Sequence, residues 1–331
     1  MNLLQPSDPR WLAVAERPDA TVFHHPAWAG LLAESYGYRA MLALGDDGSA
    51  LPIADVTFPL RRRLVALPFT DACGPLFGTD PSSLTDGLRD LAKSSRVDTL
   101  EIRAELPAHA NVQQDTRFVR HEVPLDGDTK SLWRRLRRNH RRNVVDAEEA
   151  GITVERGTSA AALEGFYRMH VQTRRRLGVP VQPRHFFRRF AERILGTGLG
   201  FVLTAYRGAS PAAAAVFMSW NGVLVCKYSA RADAYVRADA IPLLFWSAMR
   251  WASDSGFRSF DLGRSDLGSA QLRSFKDGWG ARELPLGYSW IARRPVHASS
   301  GRLDAALAVA IRNSSPWVCR AMGELLYRYA G

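Results

Sequence analysis

The densest grouping of side chains able to do chemistry lies between Gly256 and Gly280, GFRSFDLGRSDLGSAQLRSFKDGWG. Phe257, Phe260 and Leu262 read as a short buried strand that breaks at Gly263. A polar loop with Arg264, Ser265 and Asp266 follows, then the basic-aromatic cluster Phe275-Lys276-Asp277-Gly278-Trp279-Gly280. A strand end that delivers Asp, Arg, Ser and Lys over so short a span is where a site is expected. The same residues also fit a plain loop in which Arg264 and Asp266 form a solvated ion pair and the glycines turn the chain. Nothing points to a covalent nucleophile: no Ser or Cys occupies a nucleophile-elbow context, and the eight histidines show no spacing with one. Asp261 is the carboxylate best placed to accept or relay a proton, or else to hold Arg264 in position.

The elements that must position this stretch occur twice. Met41 to Leu44, Leu51 to Phe58 and Leu64 to Phe69 read as strands, the last two joined by a tight basic turn at Arg61 to Arg63. A helical stretch (Leu84 to Leu91) and then Ser95 to Arg103 follow. About 160 residues further on the order recurs. Phe201 to Tyr206 and Ala213 to Trp220 are strands, and Asn221-Gly222 is a hairpin turn that needs positive φ. Val223 to Ser229 returns, and a helix has Asp239 near its cap, Pro242 in its first turn and an apolar Leu243, Leu244, Trp246 and Met249. Ser255 to Gly263 then aligns with Ser95 to Arg103, which sets Asp261 over Glu101. An antiparallel meander meeting a parallel strand through a crossover helix makes a mixed sheet, the layout of the GNAT acyltransferase fold, here present twice. The expected class is α/β (α+β): two tandem GNAT-like domains with mixed sheets, plus C-terminal amphipathic helices. Residues 1–130 form the first domain, 131–150 an arginine-rich connecting helix, 151–296 the second domain and 297–331 a helical tail.

The chain has 331 residues, 46% hydrophobic and 23% charged, as in a soluble globular protein large enough for two domains. No apolar run reaches membrane-span length and MNLLQPSDPRW lacks the features of a signal peptide, so the expected location is cytoplasmic. Cys73, Cys226 and Cys319 are far apart and odd in number, which fits buried small hydrophobes rather than zinc ligands or a disulfide framework, and no metal is expected. The net charge of +11, from 44 basic and 33 acidic residues, favours a polyanionic partner, although an arginine bias in base composition gives the same sum.

Much of that charge sits in Trp133-Arg-Arg-Leu-Arg-Arg-Asn-His-Arg-Arg-Asn143. On one helix advancing about 100° per residue, Leu132, Trp133, Leu136, His140, Val144 and Ala147 share an arc. Arg134, Arg135, Arg137, Arg138, Arg141 and Arg142 cover the other. Like charges on one face leave a demand for anions, unless Asp146, Glu148 and Glu149 in the next turn offset a merely solvated face. His140, on the apolar arc, reads as a packed core histidine.

The run Leu136 to Val154, followed by Phe260-Asp-Leu-Gly-Arg-Ser265 and Phe275-Lys-Asp-Gly-Trp-Gly280, resembles the FemAB-like branch of the GNAT superfamily. The likeness extends from His25-Pro-Ala-Trp28 through Pro68-Phe-Thr-Asp-Ala-Cys-Gly-Pro75 to the C-terminus. Studied members transfer amino acids from aminoacyl-tRNA to the amine of a peptidoglycan precursor; others sit in exopolysaccharide gene settings, and Asp261-Leu-Gly-Arg-Ser265 is nearest to those. The resemblance implies an acceptor groove mainly on the first domain and a donor channel on the second, with the Phe275-Lys276 pair beside the reacting carbonyl. Attack of an amine on an ester or thioester builds negative charge on oxygen, which a fixed cation stabilises; Lys276 takes that role and Phe275 positions the donor. Arg264, Ser265, Tyr228, Arg237 and Trp279 stand as substrate contacts. Arg134, Arg137, Arg138, Arg141 and Arg142 stand as contacts to tRNA.

Single-domain acetyltransferases cradle the CoA pyrophosphate on a Gly-rich loop at a helix N-terminus. Tyr235-Val-Arg-Ala-Asp-Ala-Ile-Pro242 has Arg237 but neither glycine, with Asp239 where phosphate would approach. Aminoacyl-tRNA is therefore the expected co-substrate, with acyl-CoA the alternative, and an amine-bearing small molecule or cell-envelope precursor the expected acceptor. Thr158 to Gly200 has no room for the long coiled-coil arm of some family members. In the tail, Leu303, Ala306, Leu307, Ala310 and Ile311 form one apolar stripe and Val318, Met322, Leu325, Leu326 and Tyr329 another. Such stripes pack on the protein itself or, with Arg302, Arg312, Arg320 and Arg328 around them, lie on the inner face of an anionic membrane.

Overall fold

The computed structural model describes residues 1–58, 61–107, 112–235, 240–292 and 308–327. In chain order the first half comprises β1 (Asn2–Leu4), α1 (Pro9–Ala15), α2 (Pro26–Tyr36), β2 (Arg39–Leu44), β3 (Ala50–Phe58), β4 (Arg61–Val65), α3 (Pro81–Ser94), β5 (Thr99–Ile102) and β6 (Val112–Pro124). α4 (Thr129–Arg135) and α5 (Arg138–Glu149) connect it to β7 (Ile152–Gly157), α6 (Ala160–Leu177), α7 (Arg184–Phe190), β8 (Gly200–Arg207), β9 (Ser210–Trp220) and β10 (Val223–Arg231). α8 (Ala240–Asp254), β11 (Ser259–Asp266), α9 (Ala270–Asp277), β12 (Arg282–Ala292) and α10 (Pro316–Leu326) complete it.

All strands join one 12-stranded sheet in the order β1-β2-β3-β4-β5-β12-β6-β11-β10-β9-β8-β7. Each half is an antiparallel meander ending in one parallel pair, and the two pairs match residue for residue. Val65 lies opposite Glu101 in β4 and β5, as Val225 lies opposite Asp261 in β10 and β11. The repeat, and the alignment of Asp261 with Glu101, are therefore structural. The halves also exchange their last strands. β6 pairs with β11 of the second half and β12 with β5 of the first, and the two exchanged strands pair with each other from Val112–Ile291 to Glu122–Arg282. Neither half's sheet is complete without a strand from the other.

Three local expectations give way to tertiary contacts. β4 ends at Val65 rather than Phe69, because Leu67 and Phe69 adopt positive φ (54° and 58°), a conformation costly for bulky residues unless the surroundings hold it. β11 does not stop at Gly263. That residue, at φ 73°, makes a bulge between Asp261 and Arg264, and the strand continues along β6 to Asp266. The arginine-rich segment is two helices, broken where Leu136 takes an extended conformation. The Arg137 N–H leaves the helical ladder and donates to the Gly278 carbonyl at 2.8 Å. Leu132, Leu136, His140, Val144 and Ala147 are nevertheless all buried, as their spacing predicts.

The core divides over the faces of the sheet. α6 covers one side of the second half and packs on α7, which packs in turn on α2, while α5 and α8 cover the other side. α10 packs back on α6: Cys319 and Tyr327 are buried, and Tyr327 lies 4.7 Å from Phe69 between ring centroids. Leu303, Ala306, Leu307, Tyr329, Arg302 and Arg328 lie outside the described residues, as do the side chains of Leu325 and Leu326. No helix among the described residues is long and apolar enough to cross a membrane.

Candidate active site

The parallel pair β10–β11 separates just beyond Val225 and Asp261. β10 bulges between Cys226 and Tyr228, and β11 swings toward β6 at Gly263. The wedge between them is lined by Cys226 and Lys227 on one side and Gly263 and Arg264 on the other. The first half has the same divergence after Val65 and Glu101, but there the chain's own loop lies beside the end of β5, with Cys73 bridged to Arg103. That loop carries Asp71 across to the second half. The Asp71 carboxylate lies so close to Gly263 that a Cβ there would sit 2.7 Å from its Oδ2, which is a second reason for glycine besides the φ.

Lys276 enters the wedge from the last turn of α9. Its Nζ donates to the Gly263 carbonyl at 2.9 Å and the Arg264 carbonyl at 2.8 Å, and the side chain is 7% exposed. Both carbonyls belong to the stretch of β11 that has lost its β10 partner, so the ammonium supplies hydrogen bonds the ladder no longer gives. An ammonium has three donors, so one remains after these two bonds. Burial lowers the pKa of Lys276, and Asp71 and Asp261 oppose that shift. The α9 backbone is held in turn by His140, whose Nε2 is 3.0 Å from the Phe275 carbonyl, and by Arg137, which pairs with Asp277 and donates to Ser274 Oγ at 2.9 Å. His140 is thus the packed histidine its spacing implies, with a positioning role on Phe275.

Charge in the wedge is arranged around two carboxylates. Asp261 is buried; its Oδ1 accepts the Gly263 N–H at 2.7 Å and its Oδ2 lies 3.6 Å from Arg120. Burial raises its pKa to about 6 against the pull of Arg120. Asp71 is opposite: burial works against its ionisation, but Lys227, Arg264 and Lys276 outweigh that and hold its carboxyl below the usual range. Its Oδ2 accepts a long bond from the Arg264 N–H at 3.4 Å, its Oδ1 lies 3.9 Å from Arg264 Nε, and 42% of the side chain is exposed. Lys227 donates to the Phe69 carbonyl at 2.6 Å and lies 5.0 Å from the ring centroids of Phe23 and Trp28. Burial depresses its pKa to about 8. Arg264 donates to the Tyr288 hydroxyl at 2.7 Å, which donates to the Asp71 carbonyl at 2.7 Å. Among the described residues no group of three or more His, Cys, Asp or Glu side chains could hold a metal ion.

The structure thus brings Lys276, Asp261 and Arg264 to one wedge. Phe275 is half-buried against His140 and Trp279. Trp279 is fully buried beneath α9, against Phe245 and His140, and faces the core rather than the wedge. Ser265 is buried with a hydroxyl that has no partner among the described residues. Tyr228 follows Lys227 on β10 and joins Phe166, Phe187 and His170 in an aromatic cluster. Arg237, with the rest of Val236 to Asp239, lies outside the described residues. Of the arginines assigned to a polyanion, Arg137 is tied to Asp277 and Arg142 pairs with Asp146. Arg138 and Arg141 have no hydrogen-bond or ion-pair partner among the described residues, the charge of Arg134 helps to hold the Asp128 carboxyl low, and Arg135 pairs with Asp126. Asp71, Lys227, Arg120 and Tyr288 were not reached from the sequence. Asp71 lies in the stretch Pro68 to Pro75 that carries the family resemblance, and Lys227 in the strand Val223 to Ser229.

A parallel pair that splits within a mixed sheet is GNAT architecture. Residues 134–276 match the family model described as an acetyltransferase (GNAT) domain, a span that ends at Lys276 itself. Residues 134–276 are thus a GNAT-type domain, and the chain is an acyltransferase. The fold of the chain as a whole is similar to the crystal structure of FemX at TM-score 0.68 and 13% identity, covering 87% of this chain and 97% of that one. It is also similar to the C-terminal domain of a protein described as a lysylphosphatidylglycerol synthetase from Agrobacterium fabrum (TM-score 0.56, 15% identity, 91% and 93% covered). A tandem GNAT protein from the clavulanic acid biosynthesis pathway matches at TM-score 0.50 and 10% identity, over 89% and 98% of the two chains. No curated protein matches the sequence.

Proposed function

We propose that this chain transfers an aminoacyl group from aminoacyl-tRNA to the amine of a small molecule or a cell-envelope precursor. The observation that carries the reading is Lys276: a buried cation fixed by two carbonyls at the open end of the β10–β11 wedge, with a donor to spare. The attacking amine adds to the ester carbonyl, and the oxygen that gains charge accepts from the remaining Lys276 donor. That addition forms the C–N bond; collapse restores the carbonyl and breaks the C–O bond to the terminal ribose, and the amine's surplus proton ends on the released hydroxyl. Asp261, ionised above pH of about 6, or the substrates and water relay that proton. A pre-oriented donor at such an oxygen contributes roughly 10²–10³ in rate.

Three features support the aminoacyl donor: the fold shared with FemX and a lysylphosphatidylglycerol synthetase, the unpaired arginines of α5, and Tyr235 to Pro242, whose sequence lacks the pyrophosphate-cradling glycines. The match to an acetyltransferase domain favours acyl-CoA instead. Calorimetric titration with an aminoacylated RNA minihelix and, separately, acetyl-CoA separates them. Binding of the minihelix alone supports the proposal; binding of acetyl-CoA alone replaces it with CoA-dependent N-acylation of an amino sugar or polysaccharide intermediate.

A further inference from the structure

α5 begins against the helix that carries Lys276 and runs away from it for 12 residues, about 18 Å at 1.5 Å per residue. Arg138, Arg141, Val145 and Glu148 fall on one stripe of that helix. Where it ends, a cavity of about 250 Å³ opens between α5, β7, β8 and α8, with Glu148, Arg156, Arg250 and Trp251 in its lining. Arg156 is unusual in this cavity. Its guanidinium carbon sits 4.2 Å from the ring centroids of both Phe201 and Trp251, so two aromatic rings fix the plane of the side chain. Yet it has no carboxylate or other hydrogen-bond partner among the described residues. Arg250, Arg138 and Arg141 are likewise unpartnered there, whereas Arg135, Arg137 and Arg142 nearby are all in ion pairs.

Burial lowers the pKa of Arg156, the response of a cation with no counter-charge. A pinned guanidinium with free in-plane donors suits a phosphate, and its outer face together with Trp251 suits a stacked base. Glu148 is the one carboxylate in the lining and is outnumbered by the two arginines. We propose that this groove holds the single-stranded stretch of a nucleic acid just upstream of its reactive 3′ end. Arg156 and Arg250 take phosphates, the Trp251–Arg156 platform stacks a base, and Arg141 and Arg138 guide the last nucleotides along α5 to Lys276. The assignment rests on the aminoacyl-tRNA reading and adds the place and the chemistry of the contact.

Fluorescence anisotropy with a short uncharged single-stranded RNA ending in CCA tests it, titrated at several salt concentrations. The pair Arg156→Ala and Arg250→Ala removes two phosphate contacts, so affinity falls about tenfold or more. The slope of log affinity against log salt becomes shallower by about 1.4, at roughly 0.7 per phosphate on single strands. Arg156→Lys keeps the charge and loses the planar platform; it weakens binding while leaving the slope near that of the wild type. Wild-type affinity and slope in the double variant, with its melting temperature unchanged, overturn the groove assignment and leave the donor reading standing. A wild-type protein that ignores the RNA and uses acetyl-CoA overturns both.

Discussion

Replacing Lys276 by Met keeps the aliphatic stem and deletes the ammonium, so the effect is confined to what the charge does. Two bonds disappear, to the Gly263 and Arg264 carbonyls. Leaving each carbonyl without a partner costs about 1–3 kcal/mol, and the wedge, open to water on one side, places the total near the lower end, about 2–4 kcal/mol. A domain with roughly 5–15 kcal/mol of stability remains folded after that loss. The catalytic effect is separate: loss of a pre-oriented donor to the developing oxyanion lowers the rate by roughly 10²–10³. Both quantities are needed, chemical denaturation for the first and single-turnover transfer with saturating donor for the second. A rate loss of at least a hundredfold in a variant that unfolds cooperatively and binds donor normally is the expected result. A folded variant within threefold of the wild-type rate refutes the oxyanion role and reduces Lys276 to a clamp on the β11 bulge.

Gly263→Ala is expected to destabilise by about 1–3 kcal/mol, from the positive φ, and to push Asp71 out of the wedge, since its Oδ2 stands 2.7 Å from the new Cβ; transfer kinetics should fall even at temperatures where the variant is folded. Asp261 has a folded pKa of about 6, above its unfolded value, so the folded state holds its proton more tightly. Its contribution is greatest below about pH 4 and declines by at most about 3 kcal/mol as pH rises to 6. Asp261→Asn, which can still accept the Gly263 N–H and leaves Arg120 paired with Glu122, should abolish that decline in melting curves; an unchanged pH profile contradicts the burial assigned to this carboxylate. Lys227 is depressed to about 8, so between there and its unfolded value the unfolded chain binds more protons and stability rises with pH. Lys227→Met should remove the rise above pH 8, and its persistence would place its origin elsewhere.

The repeat was legible because the two parallel strand pairs keep equivalent apolar and acidic positions, Val65 and Glu101 matching Val225 and Asp261. The exchanged strands were not. β6, VQQDTRFVRHEVP, is polar over its outer half, and β12 carries Pro285 and Gly287 at a register shift, all of which imitate loop signals. Helical periodicity placed the buried residues of α4 and α5 correctly but carried no trace of the break at Leu136, which depends on the carbonyl of Gly278, a residue distant in sequence. The same holds for the site. Lys276, Asp261 and Arg264 lie in one stretch and could be found there, whereas Asp71 arrives on a loop from the other half and Lys227 stands in a strand that reads as ordinary core. Trp279 illustrates the converse: its place in a basic-aromatic cluster suggested a contact, but helix α9 turns it into the core.

The central claim is that an acyl group passes to an amine at the β10–β11 wedge with an RNA-borne ester as its source. Its most direct test is transfer of radiolabel from a mixed pool of charged tRNAs, and in parallel from labelled acetyl-CoA, to an extract of small amines and cell-envelope precursors. Label is expected to move from tRNA with the wild type and to slow at least a hundredfold with Lys276→Met. Label that moves only from acetyl-CoA, or that moves from tRNA equally well with Lys276→Met, contradicts the account.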